Sequence, residues 1–387
     1  MQRQTGRFER TVAGGEHVDA FVPFPLPPTN PPFAVDEERL RCAEEAIGRL
    51  IVAGVMVPSL EWFSYAFVRK EAVVSSQIEG TQATLVDLFA FEADDNPAAA
   101  SADVEEVCNY VDAVGYARGE LADENGLPLS LRLLHTAHAR LMNGVRGVDK
   151  QPGEVRRSQN WIGGSRPGNA VFVPPPPHLV PELLSSLESW FHVDDGLPPL
   201  VRVALAHAQF ETIHPYLDGN GRIGRLLIAL LLEHWQVLPQ PLLYLSLFLK
   251  RHRDEYYRLL GEVRRSGDFE AFVDFFLDGV KQTADEATHT AQQLFALMTT
   301  DRARVLASDD ASVIALRLFE HLPRRPILTA ANAATILDVS RPTATRALQT
   351  LAACGVLEET SGKRRDRSWA WSSYLAILRV GTDDPLR

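Results

Sequence analysis

Between residues 212 and 225 the chain reads TIHPYLDGNGRIGR, and an apolar run, LLIALLLEHW, follows directly. The stretch gathers a base (His214), an acid (Asp218), a glycine-asparagine-glycine turn (Gly219, Asn220, Gly221) and two cations (Arg222, Arg225). Gly219 and Gly221 let the backbone turn so that successive N–H groups converge on an anion. The apolar run predicts a helix, whose N-terminal end adds partial positive charge at the same place. Arg222 and Arg225 stand one turn apart on it, with forked donors suited to phosphate oxygens. Asp218 beside a phosphate site suits Mg²⁺, which takes one carboxylate together with phosphate oxygens. His214 suits a general base acting on a hydroxyl. The parts together describe transfer from a nucleoside triphosphate to an alcohol or phenol. The plainer alternative is a turn before a helix, with His214 and Asp218 as a structural pair. That accounts for any one of these residues but poorly for the set. A metal site on the His–x₃–Asp spacing is weaker still, since no third protein ligand is near in sequence.

These residues need a frame, and the hydropathy pattern predicts a helical one. Residues 1–35, ending in VPFPLPPTNPPF, read as an extended arm laid over the body. ERLRCAEEAIGRLIVAG and LEWFSYAFVRKEAVVSSQIEG read as helices, the second stopping at Gly80 as its C′ residue. After the loop EADDNPAAASAD come two more amphipathic helices, VEEVCNYVDAVGYARGEL and SLRLLHTAHARLMNG, with Ser130 as an N-cap. RRSQNWIGGSRPGNAVFVPPPP then changes the pattern to two strand-like runs around a Gly/Pro/Asn turn, a β-hairpin. Helices resume at about residue 178 and continue through 300. His135, His138 and His207 fall within apolar helical patterns and read as packing or scaffold residues.

The C-terminal segment differs. AANAATILDV and PTATRALQTLAACG read as two short helices joined by a tight link, and VLEET, SGK and RRDRSWAWSS as strand, turn and strand. That is the order of a winged helix-turn-helix. Between residues 311 and 379 ten basic residues face five acids, although the whole chain carries a net charge of −11. Arg341, Thr343, Thr345 and Arg346 would open its recognition helix, and Lys363, Arg364, Arg365 and Arg367 would lie on its wing near phosphates. A protein-binding wing is the competing reading, and the negative charge of the full chain argues against general DNA affinity.

The 387 residues allow two or three domains. Cys42, Cys108 and Cys354 make neither a disulfide framework nor a CxxC pair, which fits a reducing cytoplasm. No apolar leader is visible at the N-terminus, and no run approaches the ~20 apolar residues of a membrane span.

HPYLDGNGRIGR resembles the signature of the Fic family, HxFx(D/E)GNGRxxR, with Tyr216 where Phe is usual. QNWIGGSRPGNAVFVPPPP resembles the family's flap hairpin, and Tyr256 and Tyr257 in DEYY match a tyrosine pair beside the nucleotide in relatives. The resemblance spans roughly residues 15–285. It implies an all-α, Fic-type helical core with a short β-hairpin flap, here followed by the winged helix-turn-helix domain. It implies AMP transfer from ATP to a Ser, Thr or Tyr hydroxyl of a target protein. His214 would take the hydroxyl proton and Asp218 would hold Mg²⁺. Gly219, Asn220, Gly221 and Arg222 would cradle the phosphates, with Ile223 and Gly224 in the same ATP-binding stretch, and Arg225 would clamp the γ-phosphate. The flap, at Ile162, Gly163, Val171, Phe172 and Val173, would hold the target segment as an added strand.

SSQIEG resembles the family's inhibitory motif, fitted as Ser75, Glu79 and Gly80. The resemblance implies that Glu79 pairs with Arg225 and displaces the γ-phosphate. A capping box from Ser76 to Glu79 is the competing reading, but the helical pattern already runs from Leu60. The expected organisation is an arm and helical region with the inhibitory helix (1–127), a catalytic core (128–285), a linker helix (286–310) and the winged helix (311–387). The expected partners are ATP, a target protein hydroxyl and, through the winged helix, DNA, but no membrane; a homodimer is also considered. Two other functions compete: a DNA-bound regulator that senses nucleotide through the Fic domain, and removal of AMP with Glu79 orienting water.

Overall fold

A computed structural model of the chain describes residues 3–29, 33–56, 59–93, 101–144, 148–238, 240, 242–360 and 367–383. Two strands, β1 (Gly6–Ala13) and β2 (Glu16–Pro23), come first. Then follow α1 (Glu37–Met56), α2 (Leu60–Ile78), α3 (Leu85–Ala93), α4 (Ala102–Ala122), α5 (Leu131–Leu141), α6 (Val180–Phe191), α7 (Pro199–Ile213) and α8 (Asn220–His234). Next are α9 (Ser246–Arg251), α10 (Arg253–Arg265) and α11 (Phe269–Leu306). Last come α12 (Val313–His321), β3 (Ile327–Thr329), α13 (Ala330–Leu337), α14 (Arg341–Ala353), β4 (Glu358–Glu359), β5 (Ser368–Ala370) and α15 (Ser372–Leu378). Among the described residues the fold is mostly helical, with two small sheets. The expected boundaries cut the chain along its length, whereas its compact units are discontinuous. One holds Met1–Gly48 and Asn109–Ala284, the other Arg49–Cys108 and Asp285–Arg387.

In the first unit α7 and α8 pack against each other, flanked by α5, α6, α10 and β2. Every residue of α7 from Leu200 to Ile213 is buried, as a helix apolar on most sides requires. Ser130 caps α5 as expected, its hydroxyl accepting from the Leu133 N–H. The arm expected at residues 1–35 is instead, over residues 6–23, an antiparallel hairpin. Ala13 pairs with Glu16 across Gly14 and Gly15, whose φ angles of 50° and 82° suit a two-residue turn. The Pro-rich reading passed over the alternation on either side of that Gly-Gly. Val18, Ala20 and Val22 of β2 are buried, so the hairpin is held by its own apolar face.

In the second unit α2 starts at Leu60 with Ser59 as N-cap, and ends with Glu79 as C-cap and Gly80 at φ 105°. The helix does not begin at Ser76, so a capping box there is excluded. The C-terminal module is a winged helix-turn-helix, with antiparallel strands in the order β3-β5-β4. The link between its paired helices turns at Asp338 (φ 54°), and Ser340 caps α14. Wing residues Lys363, Arg364 and Arg365 lie outside the described residues. Residues 286–306 are the second half of α11, not a separate linker helix. That half docks the module, since the buried Trp371 indole donates to Asp301 Oδ2 (2.9 Å). Among the described residues no helix is long and apolar enough to cross a membrane.

Candidate active site

His214 is where α7 stops. Pro215 cannot extend the helix and disfavours helical backbone in the residue before it. His214 accordingly takes a left-handed conformation, φ 50° and ψ 63°. Such a conformation costs roughly 1–3 kcal/mol in a non-glycine residue and persists where surroundings enforce it. Here they do. The His214 N–H donates to Phe210 O (2.9 Å), and its carbonyl accepts from Arg156 Nε (2.9 Å). Arg156 is 1% exposed; its Nη2 donates to Pro175 O (2.6 Å) and its own N–H to Pro215 O (2.9 Å). Burial lowers its pKa to about 10, so it stays charged at neutral pH. One buried guanidinium therefore joins the end of α7 to the chain that leaves the flap.

The next residues are gripped from three sides. Tyr216 is buried, its hydroxyl hydrogen-bonds His135 Nδ1 (2.9 Å), and its ring stacks on His138 at 3.8 Å and 6°. A buried tyrosine hydroxyl requires a partner, so His135 makes Tyr tolerable at this aromatic position. His138 Nδ1 accepts the Gly153 N–H (2.9 Å), so Nε2 carries the proton and donates to Asp218 O (3.0 Å). Burial pushes its pKa down to about 4, which keeps the ring neutral. Asn220 clasps Tyr216 with both ends of its amide: Oδ1 accepts the Tyr216 N–H and Nδ2 donates to its carbonyl, both at 2.8 Å. The Asn220 group left for a phosphate is its backbone N–H.

Gly219 caps α8 at φ 78° and ψ 3°, and an added Cβ would lie 3.0 Å from Met142 Sδ and 3.3 Å from the His138 ring. Left-handed backbone and lack of space both demand glycine here. The turn aims the first N–H groups of α8, which have no partner within the helix, along the helix axis. Arg222 and Arg225 are both 4% exposed, and Ile223 is fully buried in packing. At Gly224 a Cβ would meet Glu211 Oε1 at 2.4 Å, so this glycine sets the close approach of α7 and α8. Its carbonyl accepts from His207 Nδ1 (3.1 Å), while His207 Nε2 accepts from the Tyr256 hydroxyl (2.8 Å). Burial lowers the His207 pKa to about 3.

The three histidines read from sequence as packing residues thus also hold the site: His135 and His138 under the loop, His207 under Gly224. Helical spacing could not reveal this, because their partners lie 81, 80 and 17 residues away. Arg156 was missed for the same reason. The tyrosine pair divides: Tyr256 is 2% exposed and committed to His207, while Tyr257 is 44% exposed with Arg253 over its ring.

The flap is sparser than two strands. Ile162 and Phe172 form one isolated antiparallel bridge, with Ile162 N–H donating to Phe172 O at 2.8 Å. Gly163 and Gly164 take φ 68° and 74°, which ends pairing at once. Phe172 is 9% exposed and lies under the Arg264 guanidinium (3.7 Å), so its side chain serves the core. Val171 is 81% exposed, and Val173 O accepts from Phe21 N–H (3.0 Å), tying the flap to β2.

Asp218 Oδ1 accepts the Gly219 N–H (2.6 Å) and lies 3.5 Å from Arg222 Nη2, with the side chain 46% exposed. Among the described residues no cluster of three or more His, Cys, Asp or Glu could form an all-protein metal cage. One accessible carboxylate beside converging N–H groups nevertheless suits Mg²⁺ that arrives with phosphate oxygens. In the second unit Ser75 is fully buried and Glu79 is exposed at the end of α2.

Comparison with known proteins accords with this geometry. Residues 38–118 match the Fic/DOC family N-terminal region, residues 128–232 the Fic/DOC family, and residues 313–361 the IclR helix-turn-helix domain. The protein adenylyltransferases Fic of Culex quinquefasciatus and of Aedes aegypti are each 32% identical over 182 residues, 46% of this chain and 33% of theirs. The match thus spans a third of those relatives' length. A Fic family protein from Desulfovibrio desulfuricans shares the fold at TM-score 0.55 and 22% identity, over 88% of this chain and 98% of that one. A Fic domain containing signaling protein from Bacteroides thetaiotaomicron does so at TM-score 0.52 and 18% identity, over 66% and 97%.

Proposed function

We propose that this chain, which carries a Fic/DOC domain behind a Fic/DOC N-terminal region, is a protein adenylyltransferase. The observation that carries the reading is the loop from His214 to Arg225, whose base, acid, bare N–H groups and two arginines are fixed around one helix end. In the proposed reaction His214 removes the proton of a target Ser, Thr or Tyr hydroxyl. The oxygen attacks the α-phosphorus of ATP, the bond to the β-phosphate oxygen breaks, and pyrophosphate leaves. The N–H groups of Gly221 and Arg222 and the positive end of α8 face the charge that develops. Arg225 takes the γ-phosphate, and the exposed Tyr257 ring is the member of the tyrosine pair open to the base. Asp218 would hold Mg²⁺, which when bound neutralises charge on the leaving pyrophosphate. The flap would receive the target chain along its backbone, with Val171 and Trp161 at its surface.

Glu79 is proposed to restrain this reaction by competing with the γ-phosphate for Arg225. ATP could still bind through the helix end, but with its α-phosphate out of line, and even ~1 Å of misplacement can cost on the order of 10²-fold in rate. Glu79→Gly is expected to raise AMP transfer strongly, alter ATP affinity little and bring out self-modification. Labelled ATP, cell lysate and mass analysis of the labelled proteins test both points. No incorporation by either parent or variant would remove the adenylyltransferase reading.

A second binding activity has its own support. Arg341, Thr343, Arg346 and Gln349 are exposed on α14, and no acid lies on that helix. A polar, positive recognition helix suits the major groove of duplex DNA. A duplex complex weakened by salt and by Arg346→Ala tests it.

A further inference from the structure

The flap has few bonds of its own, but its tip is held from outside. That tip is one 3₁₀ turn, Pro167–Asn169, and Asn169 Oδ1 accepts the N–H groups of Ser165 (3.1 Å) and Arg166 (3.0 Å) just ahead of it. Against it lies the turn of the N-terminal hairpin. Pro167 is buried, and a Cβ added at Gly14 would lie 3.3 Å from its Cγ. The Arg166 guanidinium pairs with the carboxylate of Glu16, the first residue of β2. The pair crosses Gly168, where an added Cβ would meet Glu16 Oε2 at 2.3 Å and Arg166 Nη1 at 2.7 Å. Further along β2 the Phe21 N–H donates to Val173 O (3.0 Å). Flap and hairpin belong to the same compact unit.

The other end of the hairpin is fixed to the helical core. Arg3 is 7% exposed and grips the Glu270 carboxylate with two nitrogens (2.8 and 2.7 Å), and its Nη1 also donates to Gly267 O (2.7 Å). Thr5 Oγ1 donates to Val263 O (3.0 Å), and Phe24 O accepts from Gln209 Nε2 (2.9 Å). Between these anchors and the Gly14–Gly15 turn run two paired strands of eight residues each, a span of roughly 27 Å. A two-stranded hairpin is marginal by itself, so contacts at both ends are what make it a strut. It stands on α7, α10 and the start of α11 and reaches the flap tip. It also covers one edge of the flap, since Val173 O faces β2. On the other edge the Trp161 and Gly163 N–H groups make no hydrogen bond among the described residues.

We propose that the N-terminal hairpin positions the flap for its target chain, with Glu16 and Arg166 as the positioning residues. The inference rests on the adenylyltransferase reading and on the flap as the segment that receives the target. The side chains of the pair are 33% and 60% exposed, so it adds little to global stability. Its effect is local, because it restricts a tip that has few other bonds. A tip free to swing lowers the fraction of molecules ready to receive a target, and the apparent affinity falls by that fraction.

The test uses the full chain and compares Glu16→Arg, Arg166→Glu and the two combined, which restores the pair in reverse. Labelled AMP incorporation is followed at saturating ATP over rising amounts of cell lysate protein, together with ATP affinity and hydrogen exchange of the flap amides. Each single variant is expected to need about threefold to fivefold more lysate protein for half-maximal labelling, the scale of one exposed ion pair. The plateau and the ATP affinity should stay as in the parent. The amides of Ser165, Arg166 and Asn169 to Val171, all hydrogen-bonded within the flap, should exchange several-fold faster. The combined variant should recover both properties. Single variants that exchange and label as the parent does would overturn the proposal. Faster exchange with unchanged labelling would do so too, because the position of the flap would then not matter to the target. A combined variant no better than the singles would remove the pair as the cause. No incorporation by the parent or by Glu79→Gly sinks the adenylyltransferase reading and this inference together, whereas incorporation indifferent to both charge reversals sinks this inference alone.

Discussion

Two irregular segments of one unit meet at the candidate active site, and they are supported in opposite ways. The loop from His214 to Asn220 is held by Arg156, His135, His138 and the Asn220 clasp, with Tyr216 and Asn220 at 1% and 3% exposure. The flap, only fifty residues earlier, has one bridge between Ile162 and Phe172, two glycines at positive φ and an exposed Val171. The difference follows from the tasks proposed for each. A group that must meet a phosphate in line works by position, and position requires a loop with no freedom left. A segment that receives another chain needs open backbone, which a completed hairpin would already have used.

The largest effect should come from the chemistry of the rigid loop. His214→Ala is expected to bind ATP nearly as the parent does and to lose about 10²–10⁴-fold in transfer. Transfer near the parent rate would make the rigidity around His214 structural and break the comparison. Next is the support beneath it. His138→Ala removes both the stack under Tyr216 and the donor to Asp218 O, and a shift of ~1 Å should lower the rate on the order of 10²-fold. His138→Gln, which can still donate, should recover part of it; equal rates in both variants would mean the donor does not matter.

Acid should find the same weak point. His138 and His207 are neutral in the folded chain, with pKa values lowered by burial to about 4 and about 3. Both titrate near 6.5 when unfolded, so the unfolded state binds protons first as pH falls. Their contribution is complete well above pH 6.5 and is lost progressively as pH falls through about 4 for His138 and about 3 for His207, by on the order of 3 kcal/mol for His138 alone. Urea midpoints at pH 7 and pH 5 should therefore differ more in the parent than in His138→Gln. The smallest effect belongs to the flap. Trp161→Ala should raise KM for a protein target a few-fold, in the range of about 1 kcal/mol for one rim side chain, and leave ATP affinity unchanged. A fall in kcat instead would mean that the flap too is part of the rigid frame.

Much of the site was legible before the fold. The loop motif, the helix behind it, the Ser130 cap, the end of α2 at Gly80 and the two-helix pattern near the C-terminus are local features, set by residues within a few positions of one another. The N-terminal hairpin was equally local, and the Gly-Gly between alternating runs was there to be read; the nearby prolines outweighed it. What sequence could not supply was the grip on the loop. Nothing near Arg156 or His138 in sequence says that one will hold the His214 carbonyl and the other the Asp218 carbonyl.

The sequence by itself determined which groups are carried: an imidazole, a carboxylate, a glycine-flanked helix end and two guanidiniums, because residue type and spacing of three or four positions define those groups. Tertiary structure alone decided how firmly they are placed. Hydrogen-bond direction gave His138 its tautomer, burial kept it neutral, and the approach of α7 to α8 made Gly224 a packing residue. It also decided that the helix ending at Glu79 belongs with the C-terminal module, since the Gln77 amide meets Thr382 O across 305 residues of chain. Such pairings depend on where distant segments come to rest, and no local pattern records that.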